Sequence, residues 1–216
     1  MSPAAVPPVG ARIRQARTAK GMSLRGLARE IGVSASLISQ IETGKSQPSV
    51  STLYAITTTL AVPVESLFGA AGEEPAPVTA ALPGAEPDAR GRALAAFAAA
   101  AGRGTGPLAA RGEREVLELD SGVVWERLGR VPGADVDFLL VTYPPGGSSS
   151  GPGALMRHPG TEYGYLTSGE LVLTLGAEEY VVRPGDAVGF ESATPHRYRN
   201  DGREPAVGVW FVFSVP

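Results

Sequence analysis

Along residues 23–44, SLRGLAREIGVSASLISQIETG, apolar side chains fall on two successive helical faces divided by a three-residue break. Leu24, Leu27, Ala28 and Ile31 recur at i, i+3, i+4 and i+7, the repeat of one buried stripe. Gly32, Val33 and Ser34 then stop one helix and start the next, since glycine accepts the left-handed conformation at a helix end and the Ser34 hydroxyl can cap a new first turn. The second helix buries Leu37, Ile38 and Ile41. At about 100° per residue this turns Ala35, Ser36, Ser39 and Thr43 outward, with Gln40 on the flank. Short polar side chains of this kind let a helix backbone enter a DNA major groove and still hydrogen-bond to base edges.

The same reading predicts a first helix over residues 9–20 with Val9, Ile13 and Ala16 inward and Gly21 ending it. A fourth, capped by Ser49, carries the stripe Leu53, Ile56, Thr57 and Leu60. Pro63 sets the first turn of a short fifth helix that ends at Leu67 and Phe68. Residues 1–8, with three prolines, read as a disordered lead-in. Residues 69–107 are Ala, Gly, Pro and Glu with few large apolar side chains, which makes a flexible linker; within it 92–101, RALAAFAAAA, has high helix propensity.

From about residue 108 the texture changes to short apolar runs broken by Gly, Pro, Asn or Asp. Runs at 138–143, 170–175, 180–182, 187–190 and 206–213 have strand length, so residues 108–216 are expected to form an all-β barrel or sandwich. The low-complexity segment 146–153, GGSSSGPG, is expected to be a mobile loop at the barrel mouth. The fold class is therefore multidomain α + β.

Charge divides the chain in the same way. The net charge is −3, yet residues 1–68 hold 7 basic and 3 acidic side chains, and residues 108–216 hold 9 and 15. Only the first segment suits a polyanion, and its excess is modest enough that selective DNA binding calls for two copies. The absence of cysteine excludes disulfides, thiolate metal sites and a catalytic thiol. No signal-peptide core or membrane-length apolar run is visible, so a cytoplasmic location without membrane contact is expected.

Residues 9–68, and the stretch SLISQIETGKSQPSVSTLYAI above all, resemble the DNA-binding domain of the xenobiotic-response-element type of bacterial repressor, a five-helix domain. The resemblance places Ser34, Ser36, Ser39 and Gln40 on the recognition helix and Arg25 and Lys45 at phosphate-contacting positions. It also makes Arg17 and Glu42 a buried ion pair joining the first and third helices.

The chain has two histidines. His158 stands four residues before Glu162 in RHPGTEYGY, and His196 begins a strand in TPHRYRN. Along an extended segment His158, Gly160, Glu162 and Gly164 share one face, so imidazole and carboxylate would point into the barrel with glycines leaving space beside them. Closure of the barrel would add His196. Two histidines and a carboxylate form the facial arrangement that holds a divalent metal and leaves positions open; the competing reading is a pair of satisfied core histidines.

The segment HPGTEYGYLTSGELVLTLGAEEYVVRPGDAVGFESATPHRYRN resembles the cupin sensor domain, a double-stranded β-helix barrel, that follows this kind of DNA-binding domain. In that family a histidine precedes the one matching His158 by two residues, where this chain has Met156. One of four usual ligands is thus missing, and Met156 suits an apolar wall. The implied effector pocket contains Met156, His158, Glu162, His196 and Tyr198, with His158, Glu162 and His196 able to hold iron, zinc, nickel or manganese.

Together the two resemblances imply a homodimeric transcriptional regulator that binds double-stranded operator DNA and senses a small-molecule effector. The alternative is a mononuclear iron cupin enzyme similar to hydroxypropylphosphonate epoxidase, which joins the same two domain types and uses a lysine from its helical domain. Here Lys20 and Lys45 are the only lysines. A third reading is a metal-free barrel that serves only to dimerise the chain.

Overall fold

The computed structural model describes residues 9–68, 109–129 and 136–213. The linker and its helix-prone run at 92–101 lie outside the described residues. Four α-helices open the chain: α1 (Val9–Ala19), α2 (Leu24–Glu30), α3 (Ala35–Glu42) and α4 (Val50–Leu60). The hydroxyls of Ser23, Ser34 and Ser49 cap α2, α3 and α4 by accepting from the backbone N–H groups of Gly26, Leu37 and Thr52.

The expected fifth helix is not an α-helix. After Pro63 the chain makes a four-residue 3-10 turn, Val64–Leu67, with the Ser66 N–H bonded to the Pro63 carbonyl at 3.0 Å, too short a piece to close an α-helical ladder. Its Leu67 and Phe68 still join the core around Ile13, Leu27, Ile38, Ile41, Leu53 and Ile56. Helix α1 crosses α3 so closely that a Cβ at Gly10 would stand 1.9 Å from the Ile41 carbonyl oxygen, so only glycine fits there. Beside that crossing Arg17 donates to both Glu42 carboxylate oxygens at 2.5 and 2.8 Å, forming the ion pair the resemblance implied and fixing α3 on α1.

Among the described residues nine antiparallel strands follow: β1 (Val116–Glu118), β2 (Val124–Gly129), β3 (Val136–Tyr143), β4 (Thr161–Ser168), β5 (Leu171–Leu175), β6 (Glu178–Val182), β7 (Ala187–Glu191), β8 (His196–Arg199) and β9 (Ala206–Phe213). They form a six-stranded sheet in the order β1-β2-β3-β9-β4-β7 and a three-stranded sheet in the order β6-β5-β8. Burial alternates strictly along β3 and through most of β9, so Leu139, Val141, Tyr143, Trp210 and Val212 face the interior. Gly164 on β4 does not leave space for a ligand as the alternation suggested. A Cβ there would lie 2.7 Å from the Trp210 ring, which fills the gap.

The serine-rich loop is clamped rather than free. Ser149 donates its backbone N–H to the Tyr198 carbonyl and accepts at Oγ from the Tyr198 N–H, while Ser148 bridges Arg199, so the segment extends the smaller sheet along β8. Its Ser149 and Ser150 are buried.

That loop also carries the contact with the helices. The Ser51 N–H at the start of α4 donates to the Ser149 carbonyl, and the Asp120 N–H donates to the Pro48 carbonyl, each at 2.9 Å. The Arg127 guanidinium sits 4.5 Å over the Phe68 ring, a cation–π contact between the helical segment and β2. Among the described residues no helix is long and apolar enough to cross a membrane.

Candidate functional site

The histidines and Glu162 converge because three backbone ties hold their segments in place. The N–H groups and carbonyls of Met156 and His196 bond to each other at 2.8 and 3.0 Å, the His158 N–H donates to the Ser192 carbonyl, and Glu162 on β4 pairs with Phe190 on β7. The path is not simply extended. Gly160 has φ of 106°, a kink between His158 and β4 that only glycine adopts freely, and both flanking side chains still turn inward.

His158 Nε2 and His196 Nε2 each stand 3.5 Å from Glu162 Oε2, and all three groups are buried. On the other side of each ring Nδ1 faces a backbone carbonyl, that of Pro159 at 3.2 Å for His158 and that of Thr194 at 2.8 Å for His196. A proton on Nδ1 satisfies the carbonyl and leaves the Nε2 lone pair directed at Glu162. Neither Nε2 has a hydrogen-bond partner among the described residues, which is not how satisfied core histidines behave. One ligand atom from each of the three lies within 4.8 Å of the others, a spacing a single divalent ion can bridge. The donor set and its orphaned nitrogens therefore fit a metal.

Around this cluster the cavity is aromatic. Trp125, Tyr143, Tyr198 and Trp210 line it together with Met156 and Ser149, and the Trp210 Nε1–H donates to the Tyr198 hydroxyl at 3.3 Å. Burial, reinforced by the Glu162 carboxylate, raises the Tyr143 and Tyr198 phenols well above their ordinary range, so both stay protonated donors. Met156 lines the cavity.

One wall was not foreseen. Val50 and Tyr54 of α4, in the helical domain, also line the cavity, and the Tyr54 ring stacks flat on His158 with centroids 3.9 Å apart and planes at 5°. Tyr54 lies beside Leu53 and outside the apolar repeat expected for α4, yet it is only 7% exposed. A large buried aromatic off the stripe was the only available hint that this face of α4 meets a second domain.

The residues expected to meet DNA lie elsewhere, on α3 and beside it. Ser34, Ser36 and Gln40 are exposed and Ser39 is half-buried; Arg25 and Lys45 flank them, also exposed. The Ser34 oxygen already accepts from the Leu37 N–H at 3.1 Å, so toward DNA it can act mainly as a donor.

Burial lowers the pKa of His196 below its usual 6.5, against the opposing pull of Glu162 and the Thr194 carbonyl. A base depressed in the folded state contributes stability that is full above the unfolded value and is lost as pH falls toward the lowered one. Thermal unfolding of the metal-free chain is therefore expected to show Tm falling below about pH 6.5, with a shallower fall in His196→Asn. Identical slopes in the two proteins would contradict it.

Residues 13–67 match the Helix-turn-helix family and residues 139–212 match the Cupin domain family. The HTH-type transcriptional regulator PuuR of Escherichia coli K12 is 25% identical over 193 residues, covering 88% of this chain and 86% of that one. An uncharacterized transcriptional regulator in the ATPase CF(0) region of Rhodospirillum rubrum is 47% identical over 60 residues, 28% of this chain and 56% of that one. Among solved structures, an HTH_3 family transcriptional regulator from Vibrio cholerae shares the fold with a TM-score of 0.60 at 17% identity, with 96% of each chain covered. The chain thus joins a four-helix helix-turn-helix domain to a C-terminal cupin β-barrel, the make-up of a DNA-binding transcriptional regulator.

Proposed function

We propose that α3 reads operator DNA through Ser34, Ser36, Ser39 and Gln40, that Arg25 and Lys45 hold phosphates, and that the barrel binds the effector that controls this reading. The exposed face of mostly short polar side chains on α3, flanked by the exposed cations Arg25 and Lys45, carries the proposal. Side chains that reach base edges alter sequence preference, whereas a phosphate-bound lysine adds affinity without discrimination. Ser36→Ala is expected to change the sequences recovered in a binding-site selection. Lys45→Ala is expected to weaken all duplexes alike and to reduce the salt slope by about one unit. Equal losses on every duplex for both variants would contradict the assignment of the reading face.

The reader is proposed to act as a homodimer joined through the barrel. On the outer face of the larger sheet Tyr163, Tyr165, Phe211 and Phe213 are exposed by 52%, 50%, 36% and 39%, and Tyr163 stands opposite Phe211 in the β4–β9 pairing. Such a patch suits a second copy, and two copies supply the two half-sites that one small basic head cannot cover. Sedimentation equilibrium is expected to give a dimer for the wild type and a monomer for Tyr165→Glu. A monomeric wild type would remove this part of the proposal.

A divalent transition metal at His158, Glu162 and His196 is the further element. When bound, it would supply a Lewis-acidic point with open positions for an oxygen or nitrogen ligand. The chain's residues orient the two Nε2 atoms and keep the ion in a water-poor aromatic pocket. Because imidazole must be neutral to ligate, uptake of Co(II) is expected to weaken as pH falls toward the lowered pKa of His196, and Glu162→Ala is expected to take up none. Equal uptake by wild type and Glu162→Ala would leave an organic-ligand pocket without metal.

The enzyme reading draws support from the same three ligands. Against it, neither lysine of the helical domain lines the cavity, and Lys20 bonds instead to the Thr59 carbonyl at 2.7 Å. The hydroxypropylphosphonic acid epoxidase of S. wedmorenis, at a TM-score of 0.42 and 18% identity, is too distant a structural relative to carry an argument.

A further inference from the structure

The cavity beside Glu162 and His196 measures about 20 Å³, room for an ion or a water and little more. Pockets that take organic ligands are far larger, about 300 to 1,000 Å³. The aromatic walls and the paired histidines nevertheless build a site suited to a planar organic molecule, and one of those walls is foreign to the barrel. The Tyr54 phenol ring stacks on His158 as a planar ligand would, and it arrives on α4, which is held to the barrel at this edge by the Ser51 to Ser149 backbone bond.

We propose that Tyr54 is a built-in plug: the helical domain inserts its own aromatic ring where an aromatic or similarly planar effector binds, so that effector and docked α4 exclude each other. This rests on the reading of the barrel as an effector site. The plug has a place to go. A cleft of about 240 Å³ lies between α4 and the segment before β4, lined by Ser51, Thr52 and Ala55 on one side and Leu155 and Arg157 on the other. Only Met156, an unbranched and readily repacked side chain, borders both spaces.

Tyr54 is thereby a specificity-determining residue. With it seated, the space beside the histidines admits an ion and a ligand of a few atoms. With it lifted, the space of a phenol ring opens over His158. A ring-bearing carboxylate makes a useful probe, because its oxygens can complete a metal at the three ligands while its ring needs the volume that Tyr54 occupies.

The test uses the full chain loaded with Co(II), titrated with acetate and with benzoate and followed by the cobalt absorption spectrum. Tyr54→Ala is expected to bind benzoate about tenfold or more tighter than wild type, with acetate unchanged and Tyr54→Phe behaving as wild type. Equal benzoate affinity in wild type and Tyr54→Ala overturns the plug. A second readout needs no metal. In this cysteine-free chain, a thiol introduced by Val50→Cys is expected to react with a maleimide about a hundredfold slower than one introduced by the exposed Gln47→Cys. Equal rates would show that α4 does not close the pocket, whatever the outcome with cobalt. Failure of wild type to take up Co(II) with slow labelling retained would remove the metal and keep the plug.

Discussion

The stacking of Tyr54 on His158 is the contact on which the arrangement of the two domains turns. Each partner has a reason of its own to be buried: Tyr54 extends the apolar side of α4, and His158 is held by its backbone bond to Ser192 and its ring contact with Pro159. Stacked together, they make one surface out of a helix of the helix-turn-helix domain and the irregular segment before β4 of the cupin domain. The neighbouring contacts are consistent with that seat. Tyr54 also tilts against Trp125 at 5.8 Å, Ser51 bonds to the buried serine loop, and Arg127 covers Phe68. Loss of the Tyr54 seat would remove the aromatic centre of this interface and leave Val50 as the apolar side chain of α4 in the cavity wall.

Helix α3 gains its position from inside the reader. The Arg17 to Glu42 pair and the contact of Gly10 with Ile41 fix it against α1, while Ser36 and Gln40 on its other face are exposed. A displacement of α4 therefore need not deform α3. It changes instead the relation between reader and barrel, and in a dimer joined through β4 and β9 that relation sets the separation of two recognition helices.

Local chemistry made much of this legible in the sequence. Capping serines at 34 and 49 and glycines at 21 and 32 mark helix ends, and the apolar repeat names the core of the helical domain almost residue by residue. The metal-type cluster was legible too, because i and i+4 spacing across a glycine kink and a histidine at a strand start survive the fold. What could not be read has one physical cause, namely contacts between residues distant in the chain. The serine loop looked mobile because its composition is that of a solvated turn, and only its pairing with β8, about fifty residues away, orders it. Gly164 looked like empty space, and Trp210 occupies it. The turn after Pro63 reads from sequence as a short fifth α-helix because a proline at a first position predicts a start and says nothing of length or helix type. Tyr54 belongs to the same class, since its partner lies 104 residues further on.

His158 is at once a metal-type ligand and the surface on which the reader docks, so occupation of the cluster and the state of the reader share one side chain. Linkage then requires that any change operator DNA makes in the affinity of the full chain for Co(II) be matched by the same factor in what Co(II) does to the affinity for operator. The direct measurement is the Co(II) dissociation constant with and without saturating operator duplex, set beside the operator dissociation constant with and without Co(II). The expected result is one common factor of roughly 5 to 150 in both pairs. A factor of one in both would show that the barrel and the reader are neighbours without coupling.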